Sequence, residues 1–152
     1  ENRIIQDNTA SPDTHNASYH DAVDNFDLNY KITPSTEKID SLIHYHECFE
    51  LIFYVAAHIE VYLDDLRYTL DSHDILIIPP MKIHKILYPE GQNYIRYVFY
   101  FTQEHIENAF SPILARKALQ LFKSQGHYKV SLSAPEYLRL NNVFHNMYEH
   151  KQ

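Results

Sequence analysis

The chain reads as a small antiparallel β-barrel with helices after it. Three observations point there. Between residues 26 and 101, short apolar or alternating runs follow one another closely. Clusters of Asp, Ser, Pro, Gly and Asn separate those runs, as turns require. After residue 102 the apolar spacing changes from every second residue to the three-and-four spacing of a helix.

Residues 26–32 and 39–45 are the first expected strands. Residues 49–55, Phe-Glu-Leu-Ile-Phe-Tyr-Val, form a strand by composition. Residues 59–63 and 66–70 both alternate, and Asp64-Asp65 between them predicts a hairpin. A second turn at residues 71–74 leads into the apolar run 75–78. Pro79-Pro80 ends that run, because proline cannot donate to a ladder. Residues 84–88 form a short strand and 94–101 the last long one. Thr102 is placed to cap a helix over 103–110, and Ser111-Pro112 opens a second one ending near Lys123, before Gly126. Residues 127–132 are a short extended piece, and Ser133 caps a final helix. Its apolar residues Tyr137, Leu138, Leu140, Val143, Phe144, Met147 and Tyr148 recur at helical spacing. That stripe suits docking onto the chain itself or onto a second copy.

The domain plan is a polar arm over 1–25, a barrel over 26–101 and a helical dimerisation segment over 102–152. The length of 152 residues suits one core. A net charge of −7 argues against direct nucleic-acid binding, which needs a basic face. The lone Cys48 cannot build an internal disulfide, so a reducing cytoplasm is the expected compartment and a small buried hydrophobe its expected role. No apolar run is long enough to span a bilayer, and no membrane partner is expected. The start at Glu1 and the end just after a helical pattern suggest a piece of a longer protein.

The chemistry concentrates in His44-Tyr45-His46-Glu47-Cys48-Phe49-Glu50. Residues two apart in a strand share a face, so regular pairing would put His44, His46 and Glu50 together. Two imidazoles and a carboxylate suit a borderline divalent metal. His84, beyond Pro79-Pro80, is a fourth donor within reach in a barrel.

These residues carry a resemblance. The chain is similar to the cupins, in which His-x-His, three or four residues and then Glu are followed later by Pro-x-Gly-x-x-His. His44, His46, Glu50 and His84 keep that pattern. It departs where glycines are expected: Ala57, His73 and Met81 stand there, which puts the tight turns in question. A narrower resemblance covers residues 28–150. His46, Phe49-Glu50-Leu51, Tyr68-Thr69-Leu70, the run from Asp74 to Pro80, His84 and the run from Tyr94 to Phe101 follow the order of the amino-terminal domain of AraC-type regulators. That resemblance implies a cupin-like antiparallel β-barrel, the double-stranded β-helix, followed by helices that make a dimer. It implies a small-molecule effector, a carbohydrate among the candidates. It also implies DNA binding through a separate carboxy-terminal domain with two helix-turn-helix motifs, which this chain lacks.

Three roles stand open for His44, His46, Glu50 and His84: holding a metal, touching an effector, or forming a hydrogen-bonded polar cluster. No cofactor is required by the regulator reading, and a divalent metal is the one candidate. Arg96, in an apolar strand, either orients a ligand group, pairs with an acid or points outward. Tyr54, Tyr62, Tyr68, Tyr97 and Tyr100 are candidate pocket walls. His58 and His73 are expected at exposed turns, and His15, His20, His145 and His150 at the surface. The expected function is effector sensing and dimerisation without catalysis. The alternative is a metal-dependent cupin enzyme, an isomerase or dioxygenase.

Overall fold

The computed structural model describes residues 26–34, 36, 38–124 and 128–151. The expected polar arm with His15 and His20, and the residues Gly126 and His127, lie outside the described residues.

Among the described residues, nine strands form two sheets. The strands are β1 (Phe26–Thr33), β2 (Ile39–Asp40), β3 (Phe49–Ala56), β4 (His58–Leu63), β5 (Leu66–Asp71), β6 (Asp74–Ile78), β7 (His84–Tyr88), β8 (Tyr94–Phe101) and β9 (Lys129–Ser131). One sheet runs β1-β8-β3-β6-β9 and the other β2-β7-β4-β5. Every pairing is antiparallel.

The two sheets face each other over a common core. Ile52, Leu76, Ile78 and Val98 come from the larger sheet, and Ile59, Val61, Leu63, Leu70 and Ile86 from the smaller. Period two then fixes what points inward. On β3 the inward residues are Glu50, Ile52 and Tyr54, paired across to Tyr100, Val98 and Arg96 of β8. This inner ladder is polar at both ends and apolar in the middle.

The outer face of the larger sheet is also apolar. Leu28, Phe53, Ile75, Ile77 and Tyr97 pack there against Phe144 of α3 (Ala134–His150). Phe49 and Phe101 pack against Ala115 of α2 (Pro112–Lys123) and Ile106 of α1 (Gln103–Ala109). Burial on both faces explains why β6 is an unbroken apolar run after Asp74.

Local signals set the helix ends. The Thr102 hydroxyl accepts from the His105 N–H at 3.1 Å and caps α1. Pro112 occupies the first turn of α2. Ser133 and Glu136 form a capping box at α3, with the Ser133 N–H donating to Glu136 Oε2 at 2.8 Å.

Two expectations need correction. The strand at 39–45 shrinks to Ile39–Asp40. Beyond it the chain still follows β7, but irregularly: the Ser41 N–H donates to the Ile86 carbonyl at 3.0 Å, and His44 exchanges backbone bonds with His84 at 2.9 and 3.0 Å. His73 is a turn residue, as expected, yet it is half-buried: its ring stacks on Tyr137 of α3 with centroids 3.7 Å apart. The tight turns survive the missing glycines. His73 and Met81 themselves adopt left-handed backbone, with φ of 75° and 65°.

Candidate functional site

The larger sheet, the smaller sheet and the segment before β3 deliver four side chains to one end of the barrel. Glu50 is the second residue of β3, and His84 is the first of β7. His44 bridges to His84 outside the regular strands. His46 is pinned by its carbonyl, which accepts from the Met81 N–H at 2.7 Å. One ligand atom from each of the four residues lies within 4.8 Å of the others.

The sequence brought the right residues together for a partly wrong reason. Regular strand pairing does not put His44, His46 and Glu50 on one face, because the chain bends at Glu47-Cys48. The bend itself swings His46 onto Glu50. Cys48 is buried beside the bend, as expected.

The hydrogen bonds fix the direction of the imidazoles. His44 Nδ1 lies 2.7 Å from the Leu42 carbonyl, and His84 Nδ1 lies 2.9 Å from the Lys82 carbonyl. Carbonyls only accept, so both Nδ1 atoms carry the proton. In the neutral rings Nε2 is then a bare lone pair turned into the site. His46 Nε2 is 3.0 Å and His84 Nε2 3.3 Å from Glu50 Oε2. Neither contact has hydrogen-bond geometry, and His46 Nδ1 is also buried without a hydrogen-bond partner among the described residues.

Burial pushes the Glu50 carboxyl up, but His46 and His84 outweigh it and hold it well below the usual carboxylate range. Burial, and then the charge of His84, push His44 down, toward its neutral form. An ionised carboxylate facing an imidazole lone pair is repulsive. Something positive must sit between them: a proton, a metal ion or a ligand's donor. The site fits a divalent metal on that ground, with nitrogen and oxygen donors suited to zinc, iron, manganese or nickel. His44, His46, Glu50 and His84 would hold it.

Arg96 is not part of this cluster. The inward residue of β8 opposite Glu50 is Tyr100, whose ring lies 5.3 Å from that of His46. Arg96 pairs across from Tyr54, at the other end of the inner ladder. Nor does it pair with an acid among the described residues: its Nη1 donates to Thr33 Oγ1 at 2.9 Å. Of the expected tyrosine walls, Tyr54, Tyr68 and Tyr100 pack on the inner core. Tyr97 packs on the outer face, and Tyr62 lies on the other face of β4 from Val61 and Leu63. Tyr88 and Tyr94, inside the barrel, were missed. Counting by two from His84 and from Tyr100 would have found both. His58 is exposed as expected, 2.7 Å from Asp71.

Two facing antiparallel sheets thus hold three histidines and a glutamate at one end, with helices over the larger sheet. The fold is a cupin barrel followed by helices. No family model matches the chain, and no curated protein sequence matches it. Solved structures do. ToxT from Vibrio cholerae O395, an AraC-type regulator solved with (E)-4-(8-methylnaphthalen-1-yl)but-3-enoic acid, matches with TM-score 0.58 and 12% identity over 81% of this chain and 48% of that one. The chain therefore spans about half the length of ToxT. A cupin 2 conserved barrel domain protein from Salinispora arenicola CNS-205 matches with TM-score 0.46 and 17% identity, over 55% of this chain and 68% of that one. A mutant of salicylate 1,2-dioxygenase from Pseudoaminobacter salicylatoxidans matches with TM-score 0.46 and 12% identity, over 51% and 22%.

A groove of about 670 Å³ lies outside the barrel, on α1 and α2, lined by residues that include Glu107, Arg116 and Leu119. No helix among the described residues is long and apolar enough to cross a membrane.

Proposed function

We propose that this chain is the effector-sensing and dimerisation part of an AraC-type transcription regulator. The observation that carries the reading is the joining of two features in one fold. A buried polar cluster sits inside the barrel, and helices packed on the barrel leave apolar side chains uncovered. Leu138 is 60% and Val143 50% exposed on α3, with Met147 beside them. The likeness to ToxT supports the same joining. It covers 81% of this chain, whereas the barrel strands up to β8 span half of it, so the match takes in the helices.

In this reading a small molecule binds at the barrel, and the His44, His46, Glu50 and His84 cluster contacts it directly or through a metal. ToxT bound to a small organic acid supports the class of effector, and a carbohydrate remains a candidate on the sequence resemblance. The helices make a homodimer, and DNA is met through a domain outside this chain. Signalling requires that the effector bind two arrangements of the helices unequally. No catalytic residue is assigned.

A second reading has its own support. Nε2 atoms turned toward an ionised Glu50 suit a metal-dependent cupin enzyme. A divalent metal there would supply Lewis acidity. His44 and His84, each anchored by a backbone carbonyl, would keep their lone pairs fixed.

Light scattering with metal analysis separates the two. The regulator reading expects a dimer that Val143→Asp with Met147→Asp converts to monomer while the circular dichroism spectrum stays unchanged. A monomer at high concentration, carrying stoichiometric metal, would overturn it in favour of the enzyme.

A further inference from the structure

Among the described residues, four strands form sheet edges: β1 and β9 in the larger sheet, β2 and β5 in the smaller. A sheet edge invites pairing with another chain unless it is short or blunted. β2 has two residues and β9 three, too few to hold a partner. β5 has six, and its Thr69 carbonyl accepts from Lys129 Nζ. β1 has eight, and no described strand lies beyond it. The Leu28 carbonyl faces that open side, where it accepts from Lys151 Nζ at 2.8 Å. Alternation along the strand turns the backbone groups of Tyr30 and Ile32 the same way. No backbone group among the described residues bonds them there. Phe26, Tyr30 and Ile32 are exposed large apolar side chains on one face of this edge.

The order Phe26-Asp27-Leu28-Asn29-Tyr30-Lys31-Ile32 is complementary to itself about Asn29. Two copies laid antiparallel, with Asn29 on a two-fold axis, put Asp27 of each copy opposite Lys31 of the other. Opposite charges directly across a strand pair stabilise it, and the axis makes the pair occur twice. On the other face Phe26 meets Ile32 and Leu28 meets Tyr30, apolar against apolar. A slip of two residues, the smallest that keeps the faces matched, loses both charge pairs. The pairing does not require either charge to be unpartnered. Asp27 keeps Lys151 and the Asn29 side chain, whose Nδ2 donates to it at 2.6 Å. A carboxylate has about four acceptor positions and an ammonium three donors.

α3 ends at the same edge. The Tyr148 ring lies 5.9 Å from that of Tyr30, and Lys151 reaches Asp27. We propose that β1 is a self-pairing edge: two copies of this chain join antiparallel along residues 26–32, with Asn29 on the two-fold axis. Their two larger sheets become one continuous sheet, and the ends of both α3 helices come to the axis. This rests on the homodimer of the proposed function and gives it a strand seam beside the α3 stripe. Lys151 releases the Leu28 carbonyl to the ladder and keeps Asp27. The competing reading is that Lys151 blunts the edge and β1 stays unpaired.

Sedimentation equilibrium of the whole chain over a concentration series tests the proposal. Asp27→Lys and Lys31→Asp should each weaken the dimer about tenfold, because the axis sets two like-charge pairs in contact. Mixed in equal amounts, the two variants should recover a dimer of about the original affinity, since every charge then meets its opposite. The two positions are four residues apart in one strand, roughly 13 Å, so the recovery cannot arise within one copy. Ile32→Pro removes an N–H on the open side and spares the β8 ladder. It should also weaken the dimer about tenfold, and it serves if Asp27→Lys fails to fold. A dimer that keeps its affinity in both Lys31→Asp and Ile32→Pro overturns the proposal. If Val143→Asp with Met147→Asp dissociates that same dimer, the helix stripe alone holds it. A mixture that stays monomeric also overturns the strand seam. A dimer lost in the edge variants but kept in Val143→Asp with Met147→Asp supports the seam and removes the α3 stripe from the interface. A chain that is monomeric at every concentration overturns both and leaves Lys151 as the guard of an unpaired edge.

Discussion

β6 and β4 are both central strands of this barrel, yet they bury themselves differently. β6 is buried at all five positions, whereas β4 alternates between buried Ile59, Val61 and Leu63 and residues left at least partly open. Both face the same interior. The difference lies behind them: α1, α2 and α3 cover the outer face of the larger sheet, and the outer face of the smaller sheet carries Glu60, Tyr62, Arg67 and Lys85. The helices are therefore a second wall of the core. A change in how they sit is felt along β3, β6 and β8, the strands that carry Glu50, Tyr54 and Arg96.

The strongest way to break the comparison is to remove the wall. A chain ending at Phe101 would expose Phe49, Phe53, Ile75, Ile77 and Tyr97 together. Such a patch aggregates, so the expected outcome is loss of cooperative unfolding and soluble yield. A soluble two-state barrel from that chain would show that the helices are an accessory.

A single substitution sharpens the same point. Phe144 lies 5.3 Å from Phe53 and 5.7 Å from Tyr97, in stacked geometry, with 7% of its surface exposed. Phe144→Ala should cost about 3–5 kcal/mol, as large-to-small changes in a packed core do. Urea unfolding reads it. Thr69→Ala, on the open face of β5, should cost at most about 1 kcal/mol. Equal costs would erase the distinction between the sheets.

The pattern of walls also explains what the sequence made legible. Alternation read β4 and β5 correctly, including the turn at Asp64-Asp65, where Asp64 has φ 49°. Pro79-Pro80 marked the end of β6, and Thr102, Ser111-Pro112 and Ser133 marked the helix starts. The four cluster residues were legible because their types and spacing are restrictive. Their geometry was not, since a bend at Glu47-Cys48 breaks the period-two count. The same break shortened the expected strand at 39–45, where Leu42 and Ile43 lie exposed. Arg96 stood apart from the cluster for a reason sequence alone conceals: register decides which β8 residue faces Glu50, and register depends on pairing across strands distant in sequence.

The His/Glu end gives the next largest effect. Replacing Glu50 by Gln removes the one negative charge in the four-residue cluster while keeping its size. If the cluster holds a metal, Glu50→Gln should lower zinc affinity at least about tenfold, the scale of a lost ligand or its support. Isothermal titration with zinc measures it. Unchanged zinc affinity would mean that Glu50 is no ligand. Zinc binding absent from the unsubstituted chain would leave direct effector contact or a polar structural cluster.

The smallest effect compares the two turns that lack their expected glycine. His73 and Met81 both hold positive φ, which costs a side chain about 1–2 kcal/mol in the left-handed region. Glycine relieves that strain but adds roughly 0.5–1 kcal/mol of unfolded-chain freedom. The balance turns on what each side chain touches. Met81 is 59% exposed, and what the turn contributes comes from its backbone, whose N–H reaches the His46 carbonyl. Met81→Gly should therefore stabilise the chain by about 0.5–1 kcal/mol, a rise in Tm of about 2 °C for a chain of this length. His73 differs: its ring stacks on Tyr137, and its backbone links the Tyr54 carbonyl to the Leu132 N–H, two residues before α3 begins. His73→Gly gives up that stack, worth about 1 kcal/mol, so relief and loss should cancel and Tm should hardly move. A gain at His73 as large as at Met81 would mean that the stack contributes nothing to docking α3. A loss at Met81 would mean that its side chain, exposed as it is, shapes the loop that positions His46.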